Sequence, residues 1–210
     1  MTVTTPQHVG DTVPISGGLQ ILTKRTVPLP LEVVQPDPTW PAQFAGIKAE
    51  VEVALGSELL DIVHVGSTSV PDLPAKPVID IDVTVANIEE ESTYAPAFEA
   101  AGFQFILRDP SWNQHRLFYS YDPPANLHVF GPDSKELIRH AAFRDWLLTH
   151  PEDRETYAKI KIEASKAAIA NGEDVNQYND RKSPGLQEIL VRALAAVGHT
   201  LESTYGRQRK

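Results

Sequence analysis

The sequence predicts an α/β fold of the α+β kind, in which a small mixed β-sheet is flanked by helices and followed by a C-terminal helical layer. Strand-like and helix-like patterns alternate over the first two thirds of the chain, as they do in domains that mix both elements. The last third is helical in pattern. With 41% hydrophobic residues, the 210-residue chain is large enough to bury one core of ordinary domain size.

We expect a single domain over residues 31–200. Residues 1–30 are rich in Thr, Pro and Gly, so they bury little apolar surface and are expected to form a flexible arm. An alternative for part of this arm is an edge strand over residues 19–22. The polar residues 201–210 are expected to form a tail.

Each element of the expected domain has its own local signal. A helix is predicted over residues 40–55, because Asp37-Pro38-Thr39 precedes this stretch and Gly56 ends it. Alternating or short apolar runs predict strands over residues 59–65, 77–85, 103–107, 116–121 and 126–130. Further helices are predicted over residues 89–101, 134–149, 151–170 and 183–197, the last with Pro184 in its first turn.

Composition excludes several classes of function. The formal net charge of −9 argues against broad nucleic-acid binding, which requires a basic surface, but it allows a local cationic pocket for a small anion. The absence of cysteine excludes disulfides, thiolate zinc sites and cysteine nucleophiles. No stretch has the length and apolarity of a membrane span, and the N-terminus lacks a signal-peptide pattern. We therefore expect a soluble, cytoplasmic protein with no membrane partner.

The strongest chemical signal is the pair of carboxylates Asp80 and Asp82. Residues i and i+2 of a strand point to the same face, so the two acids lie side by side while Ile81 faces the core. Adjacent carboxylates repel each other, and a divalent cation would relieve that repulsion. The alternative is that both acids lie at a strand end, where they are solvated or cap turns. If they bind a metal, Asp80→Asn is expected to abolish Mg²⁺-dependent nucleotide binding without loss of the fold.

A second signal is the loop Gly66-Ser67-Thr68-Ser69, directly after a predicted strand. Glycine allows a ligand to approach the backbone, and consecutive N–H groups form a site for an anion. The hydroxyls of Ser67 and Ser69 would add donors to phosphate oxygens. A turn without a ligand is the alternative for this loop by itself. Together with Asp80 and Asp82, the loop indicates a site for a metal-bound nucleotide.

Four segments resemble GrpB-like proteins of the nucleotidyltransferase superfamily. They are Pro36-Asp37-Pro38-Thr39-Trp40-Pro41, His64-Val65-Gly66-Ser67-Thr68-Ser69-Val70-Pro71, Ala75-Lys76-Pro77-Val78-Ile79-Asp80-Ile81-Asp82 and Phe143-Arg144-Asp145-Trp146-Leu147-Leu148-Thr149-His150-Pro151. The resemblance covers roughly residues 32–196 and implies a minimal sheet of nucleotidyltransferase type with added C-terminal helices. Some members are fused to a dephospho-coenzyme A kinase, which points to nucleotide or cofactor metabolism and to a partner enzyme.

The strand beside Asp80 departs from the superfamily pattern. Nucleotidyltransferases commonly place a third carboxylate there, whereas residues 126–130 offer Asn126 and His128 on one face and no acid. GrpB-like proteins often carry a more His-rich stretch at this place, so His128 matches and Asn126 does not. His128 either binds a metal, accepts a proton from the nucleophile, contacts phosphate, or is a hydrogen-bonded residue beside the core. The missing acid leaves the role of catalytic base open.

Several cationic residues are candidates for phosphate binding. Lys76 precedes the Asp80 strand, and Arg116, with His115, begins a strand that lines the same pocket if the sheet closes as predicted. Arg144 belongs to the Phe-Arg-Asp-Trp run and either contacts phosphate or pairs with a neighbouring acid. The cationic candidates are Lys76, Arg116, Arg144 and Lys161, together with Arg139 and with Lys182, just before the last predicted helix. Solvated surface charge is the alternative for Lys76 and for the helical lysines and arginines.

Two functions follow from these signals. The first is an enzyme that uses a nucleoside triphosphate with Mg²⁺ or Mn²⁺ to transfer a nucleotidyl group to, or to activate, a small-molecule or protein acceptor. In that enzyme Asp80 and Asp82 bind the metal and His128 assists. The second is a non-catalytic module that binds a nucleotide or a partner protein, which the missing third carboxylate favours. A nucleic-acid-modifying polymerase is disfavoured by the charge.

Overall fold

The computed structural model describes residues 18–204, which contain an open six-stranded mixed sheet. In order across the sheet the strands are β1 (Gln20–Ile21), β4 (Gln104–Asp109), β5 (His115–Tyr121), β6 (Pro124–Phe130), β3 (Ile79–Val85) and β2 (Leu59–Val65). Strands β3 and β6 pair in parallel, and the other neighbours are antiparallel. The predicted α+β class is therefore confirmed.

The helices divide between the two faces of the sheet. They are α1 (Trp40–Leu55), α2 (Ala95–Ala100), α3 (Lys135–Thr149), α4 (Pro151–Ala170), α5 (Val175–Ala196) and α6 (Leu201–Thr204). Helices α1 and α2 pack on one face, where Ile81, Val83 and Phe118 belong to the main apolar core. Helices α3, α4 and α5 form a second core with Leu73, from the loop between β2 and β3, and place their polar side chains over the opposite face.

Most element boundaries follow the sequence signals. Helix α1, strand β2 and helix α4 have the predicted bounds. The predicted helix over residues 89–101 is a 3₁₀ turn at Glu91–Thr93 followed by the short helix α2. The chain then turns at Gly102, whose φ of 91° suits glycine.

The predicted start of the last long helix is wrong. Helix α5 begins at Val175, not at 183, because Asp174 and Gln177 form a capping box that satisfies the first backbone N–H groups. Pro184 therefore lies inside the helix and not in its first turn. The residues of this capping box, Asp174 and Gln177, are a sequence signal for the observed start of the helix.

The ends of the described chain are attached to the domain. Strand β1 pairs Gln20 with Arg108 and Ile21 with Leu107, as in the edge-strand alternative. Helix α6 follows α5, and Thr204 is buried. The remaining parts of the expected arm and tail, residues 1–17 and 205–210, lie outside the described residues. Within residues 18–204, no helix combines the length and apolarity required to span a membrane.

Candidate functional site

A row of polar residues crosses the face of the sheet that α3, α4 and α5 cover. In register, Gln104 of β4 pairs with Tyr119 of β5, Tyr119 with Asn126 of β6, and Asn126 with Asp80 of β3. Residues opposite each other on paired strands point to the same face, so their side chains are neighbours. The predicted alternation is confirmed, since Ile79 and Ile81 are buried on the other side.

Asp80 is the centre of this face. Its Oδ1 accepts a hydrogen bond from Nδ2 of Asn126 at 2.9 Å and lies 3.8 Å from Nε2 of His128. Burial would raise the pKa of Asp80, but the interaction with His128, with further help from Asn126 and Lys182, outweighs it and lowers the pKa to about 2. About a third of the side chain remains exposed, at 34%. Asp80 is therefore an accessible carboxylate that stays ionised.

The loop after β2 is built around this carboxylate. Gly66 has a φ of 68°, and a Cβ at this position would lie 2.6 Å from Oδ2 of Asp80, so no larger residue fits. Ser69 donates its hydroxyl to the carbonyl of Gly66 at 2.6 Å. Ser67 lies beside the phenol of Tyr157. Burial raises the pKa of Tyr157 above its usual value, and the hydrogen bond with Ser67 opposes this shift only in part. The donor of Ser69, predicted to hold phosphate, is thus used within the turn.

His64 and Thr68 support the same loop. Nε2 of His64 lies 2.9 Å from Oγ1 of Thr68, and its ring stacks on Phe44 with centroids 4.8 Å apart. Burial, which outweighs the attraction of Asp80, lowers the pKa of His64 to about 4. His64 is therefore neutral at physiological pH and orients the loop, as its place in the sequence suggests.

Three lysines from separate segments interact with the charge of Asp80. Lys76 comes from the loop before β3, Lys161 from α4 and Lys182 from α5. Burial, together with the charge of Lys182, lowers the pKa of Lys76 to about 8, and the same two causes lower the pKa of Lys161 well below its usual value, while Asp80 opposes both shifts. The amines of Lys76 and Lys182 lie 4.6 and 5.2 Å from the ring centre of Tyr178.

Lys161 is the most enclosed of the three, with 2% of the residue exposed. Its amine donates to the carbonyl of Pro74 and lies 4.9 Å from the centre of the Tyr157 ring, one helical turn earlier. Residues four apart on a helix share one face, which places Tyr157 and Lys161 side by side. The lysines repel each other across a space that holds one carboxylate, and this arrangement favours a bound anion.

Two pairs involving histidine extend the site toward Asp82. Nδ1 of His140, on α3, lies 2.9 and 3.0 Å from the two oxygens of Asp82. Burial lowers the pKa of His140, but the charge and hydrogen bond of Asp82 raise it above its usual value. Nε2 of His115 lies 3.0 Å from Nδ1 of His128, and burial with the charge of His128 lowers the pKa of His115 well below its usual value.

The arrangement of Asp82 bears on the predicted metal. Both of its oxygens face His140, and the raised pKa of His140 favours the protonated form of this histidine beside Asp82. No group of three or more His, Cys, Asp or Glu side chains in the described part of the chain is arranged to hold a metal ion. As placed, the residues do not fit an all-oxygen Mg²⁺ or Mn²⁺ site held by Asp80 and Asp82. Metal binding stays a prediction.

Two predicted phosphate-binding arginines lie elsewhere. Arg116 is fully buried on the opposite side of the sheet, because it is in register with Val129 and not with His128. Its Nε donates to Glu91 at 2.7 Å. The prediction that Arg116 lines the pocket is therefore wrong by one residue of strand register. Arg144 donates to Asp145 at 2.7 Å and to the carbonyl of His64 at 3.1 Å, so it braces β2 behind the loop.

Sequence reasoning missed three contributors to this site. Arg25 reaches it from the N-terminal segment and donates to Oδ1 of Asn126 at 3.1 Å. His140 lies within a helix and is far from Asp82 in sequence, so only the distance between the two side chains shows its role. Tyr178 was missed because α5 begins earlier than predicted. The capping box at Asp174 was the one signal that could have found it.

The sequence of this chain is similar to those of several known proteins. The sequence model described as GrpB protein matches residues 30–192. A UPF0157 protein of Halalkalibacterium halodurans is 41% identical over 165 residues, which are 79% of this chain and 83% of that protein. A protein of Mycobacterium tuberculosis named dephospho-CoA kinase is 32% identical over 193 residues, covering 78% of this chain and 46% of that protein.

Among solved structures, the crystal structure of the conserved protein GrpB from Enterococcus faecalis matches with a TM-score of 0.67 and 27% sequence identity. The match covers 80% of this chain and 100% of that one. Sequence and structure therefore agree on the same relationship. The chain belongs to the GrpB family.

Proposed function

We propose that the site binds a nucleoside triphosphate through its phosphates and transfers the nucleotidyl group to a small-molecule or protein acceptor. The observation that carries this proposal is that the amines of Lys76 and Lys182, from separate segments, lie 4.6 and 5.2 Å from the ring centre of Tyr178. Together with the buried Lys161 they interact with the charge of the partly exposed Asp80, in a protein that is acidic as a whole. Adjacent lysines in a protected site repel each other, and a multiply charged anion removes that repulsion. The loop at Gly66 borders the same space.

The proposed reaction needs two contributions from the protein, which are the binding of the phosphates and the removal of a proton from the acceptor. The acceptor's oxygen or nitrogen attacks the α-phosphorus, the bond from this phosphorus to the bridging oxygen breaks, and pyrophosphate leaves with the electron pair. The lysines hold the pyrophosphate and stabilise its charge as it departs. The attacking oxygen or nitrogen of the acceptor loses a proton in this reaction, so the site also needs a base that takes it.

His128 is the proposed base. Since His115 stays neutral at physiological pH, its Nε2 accepts a hydrogen bond from Nδ1 of His128 in one tautomer of the pair. That tautomer leaves Nε2 of His128, on the side of Asp80, free to take the proton. His115 then acts as a positioning residue, and Asp80 stabilises the imidazolium that forms.

A non-catalytic module is the second candidate, and the pairing of Asp82 with His140 favours it. A transferase that holds its nucleotide as a metal complex would need Asp82 to turn away from His140, whereas a nucleotide-binding or partner-binding module would not. The match to part of a protein named dephospho-CoA kinase supports a role beside a partner enzyme. Both candidates share the anion site and differ in whether pyrophosphate is released.

A thermal-shift screen tests the shared step. ATP, GTP, CTP and UTP are each added with Mg²⁺, Mn²⁺ or EDTA to the wild type, to Lys182→Ala and to Lys166→Ala, a matched exposed lysine on α4. We expect at least one nucleotide to raise the melting temperature of the wild type and of Lys166→Ala but not of Lys182→Ala. No shift with any nucleotide would rule out the transferase and a nucleotide-binding module, and would leave a module that binds a partner protein.

Pyrophosphate release then separates the two candidates. The wild type and His128→Ala are incubated with the selected nucleotide and with hydroxyl and amine acceptors. Release that is lost in His128→Ala while nucleotide binding is retained supports the transferase. Binding without release from any acceptor supports the module.

A further inference from the structure

The chain before the family-matched region is attached to the edge of the sheet by contacts beyond β1. The hydroxyl of Thr23 donates to the carbonyl of Phe105 at 2.6 Å, and Nε2 of Gln104 donates to the carbonyl of Lys24 at 3.1 Å. The backbone N–H of Thr26 donates to the hydroxyl of Tyr121 at 2.8 Å. Main-chain and side-chain bonds therefore fix residues 20–26 along β4 and the end of β5.

This attachment places Arg25 over the row that leads to Asp80. Its guanidinium lies 4.8 Å from the ring centre of Tyr119 and donates through one terminal nitrogen to Oδ1 of Asn126 at 3.1 Å. Nδ2 of the same amide donates to Asp80 at 2.9 Å. Asn126 thus links the arginine to the carboxylate at the centre of the site.

A charged residue at position 126 would not serve both neighbours. An aspartate there would attract Arg25 but repel Asp80, whereas the amide accepts from the first and donates to the second. The Nε of Arg25 is buried and has no hydrogen-bond partner within residues 18–204. A buried donor of this kind is satisfied when an anion binds beside it.

We propose that Arg25, held over the sheet by residues 20–26, is a positioning residue for the phosphates of the bound nucleotide, supplied from outside the family-matched region. The match to the family begins at residue 30, so this cation is added to the shared site by the chain's own N-terminal segment. The inference rests on the proposed anion site. It extends that site by assigning to the segment a role in phosphate affinity.

The test compares the full-length wild type with Arg25→Ala, Arg25→Lys and Lys24→Ala. Lys24 is the matched control, because it is the adjacent cation and is exposed. The dissociation constants of inorganic tripolyphosphate and ATP are measured by calorimetry in EDTA, and the ligand-free melting temperature of each variant is recorded. Arg25→Ala is expected to weaken both ligands on the order of tenfold, the loss of one charge-assisted hydrogen bond.

Arg25→Lys is expected to lie between wild type and Arg25→Ala, because lysine keeps the charge and loses the planar fork. Lys24→Ala is expected to bind as the wild type does. Equal affinity of Arg25→Ala and wild type would overturn the assignment of Arg25 and leave the proposed function intact. A wild type that binds neither tripolyphosphate nor any of the four nucleotides, with or without Mg²⁺ or Mn²⁺, would overturn both. A lower ligand-free melting temperature with unchanged affinity would show that Arg25 is only structural, which also contradicts the proposal.

Discussion

Gly66 and Asp80 occupy adjoining space that only a glycine permits, since a Cβ on Gly66 would lie 2.6 Å from Oδ2 and 2.9 Å from Cβ of Asp80. The backbone at Gly66 has φ 68° and ψ −167°, a conformation that residues with a side chain adopt only under strain. The glycine of the predicted phosphate loop is therefore required first by the carboxylate on the neighbouring strand. Close approach of a ligand to its backbone is a second, separate expectation.

Gly66→Ala is expected to lose more stability than its backbone conformation alone explains. Gly56 is a matched control, because its φ is 52° and a Cβ there would meet nothing within 4 Å. Gly56→Ala should cost about 1 to 3 kcal/mol from backbone strain. Gly66→Ala should cost at least about 1 kcal/mol more because it displaces Asp80. Urea unfolding of each variant measures the difference.

The displacement of Asp80 can be isolated by a double-mutant cycle. In an Asp80→Ala background the part of the extra cost that comes from the carboxylate should disappear, while the part that comes from the Cβ of residue 80, 2.9 Å away, should remain. An excess as large in the Asp80→Ala background as in the wild type would show that contact with the carboxylate does not account for it.

Lys76 predicts how nucleotide affinity depends on pH. Its pKa in the folded protein is about 8, below the value of 10.5 for a free lysine, mainly because the side chain is buried. Between these two pH values the unfolded chain binds more protons, so the free energy of unfolding contributed by this group rises with pH. The charge of Lys76 that is proposed to bind phosphate is lost over the same range. ATP affinity should therefore fall as the pH rises through about 8.

Lys76→Arg should remove the part of this fall that is centred near pH 8, since arginine stays charged. Lys24→Arg, an exposed control, should leave the profile unchanged. Calorimetric titration of ATP at pH 7, 8 and 9 is the measurement. A wild-type affinity that is constant over this range would mean that Lys76 does not hold the phosphates.

The sequence predicted correctly on which face of the sheet Asp80 lies, but it did not predict which residues of other elements contact that face. Alternation within β3 placed Asp80 opposite the apolar core because the pattern is local and its period is two. Arg116 was assigned to the wrong face because that assignment depends on the pairing of β5 with β6, which no local pattern determines. The contact between Asp82 and His140 joins two elements far apart in sequence. Periodicity carries no information about such pairs.

Asp80→Asn is expected to destabilise the ligand-free protein, contrary to the effect that repulsion between two acids predicts. Cations surround Asp80, and His140 compensates Asp82, so the substitution removes an attraction. The pKa of Asp80 is about 2 when folded and near 3.8 when free. Its contribution to stability is thus present above about pH 4 and is lost as the pH falls toward 2.

Thermal unfolding from pH 2 to pH 7 measures this difference. The gap between wild type and Asp80→Asn should widen from pH 2 to pH 4 and then stay constant, while Asp180→Asn, an exposed acid on α5, should show no such gap. If Asp80→Asn is as stable as the wild type at pH 7, the result would support the alternative that Asp80 and Asp82 repel each other.

His140→Ala tests whether Asp82 is held by the histidine or is available to a metal. The substitution leaves a carboxylate with 2% exposure and without the donor that contacts both oxygens, so it should cost about 3 kcal/mol in urea unfolding. His199→Ala, at the end of α5, should have little effect. If Mg²⁺ or Mn²⁺ restores the stability of His140→Ala but leaves the wild type unchanged, then Asp80 and Asp82 bind a metal only when His140 is displaced. Stabilisation of the wild type by either ion in the absence of nucleotide would show instead that the two aspartates bind metal despite the contact with His140.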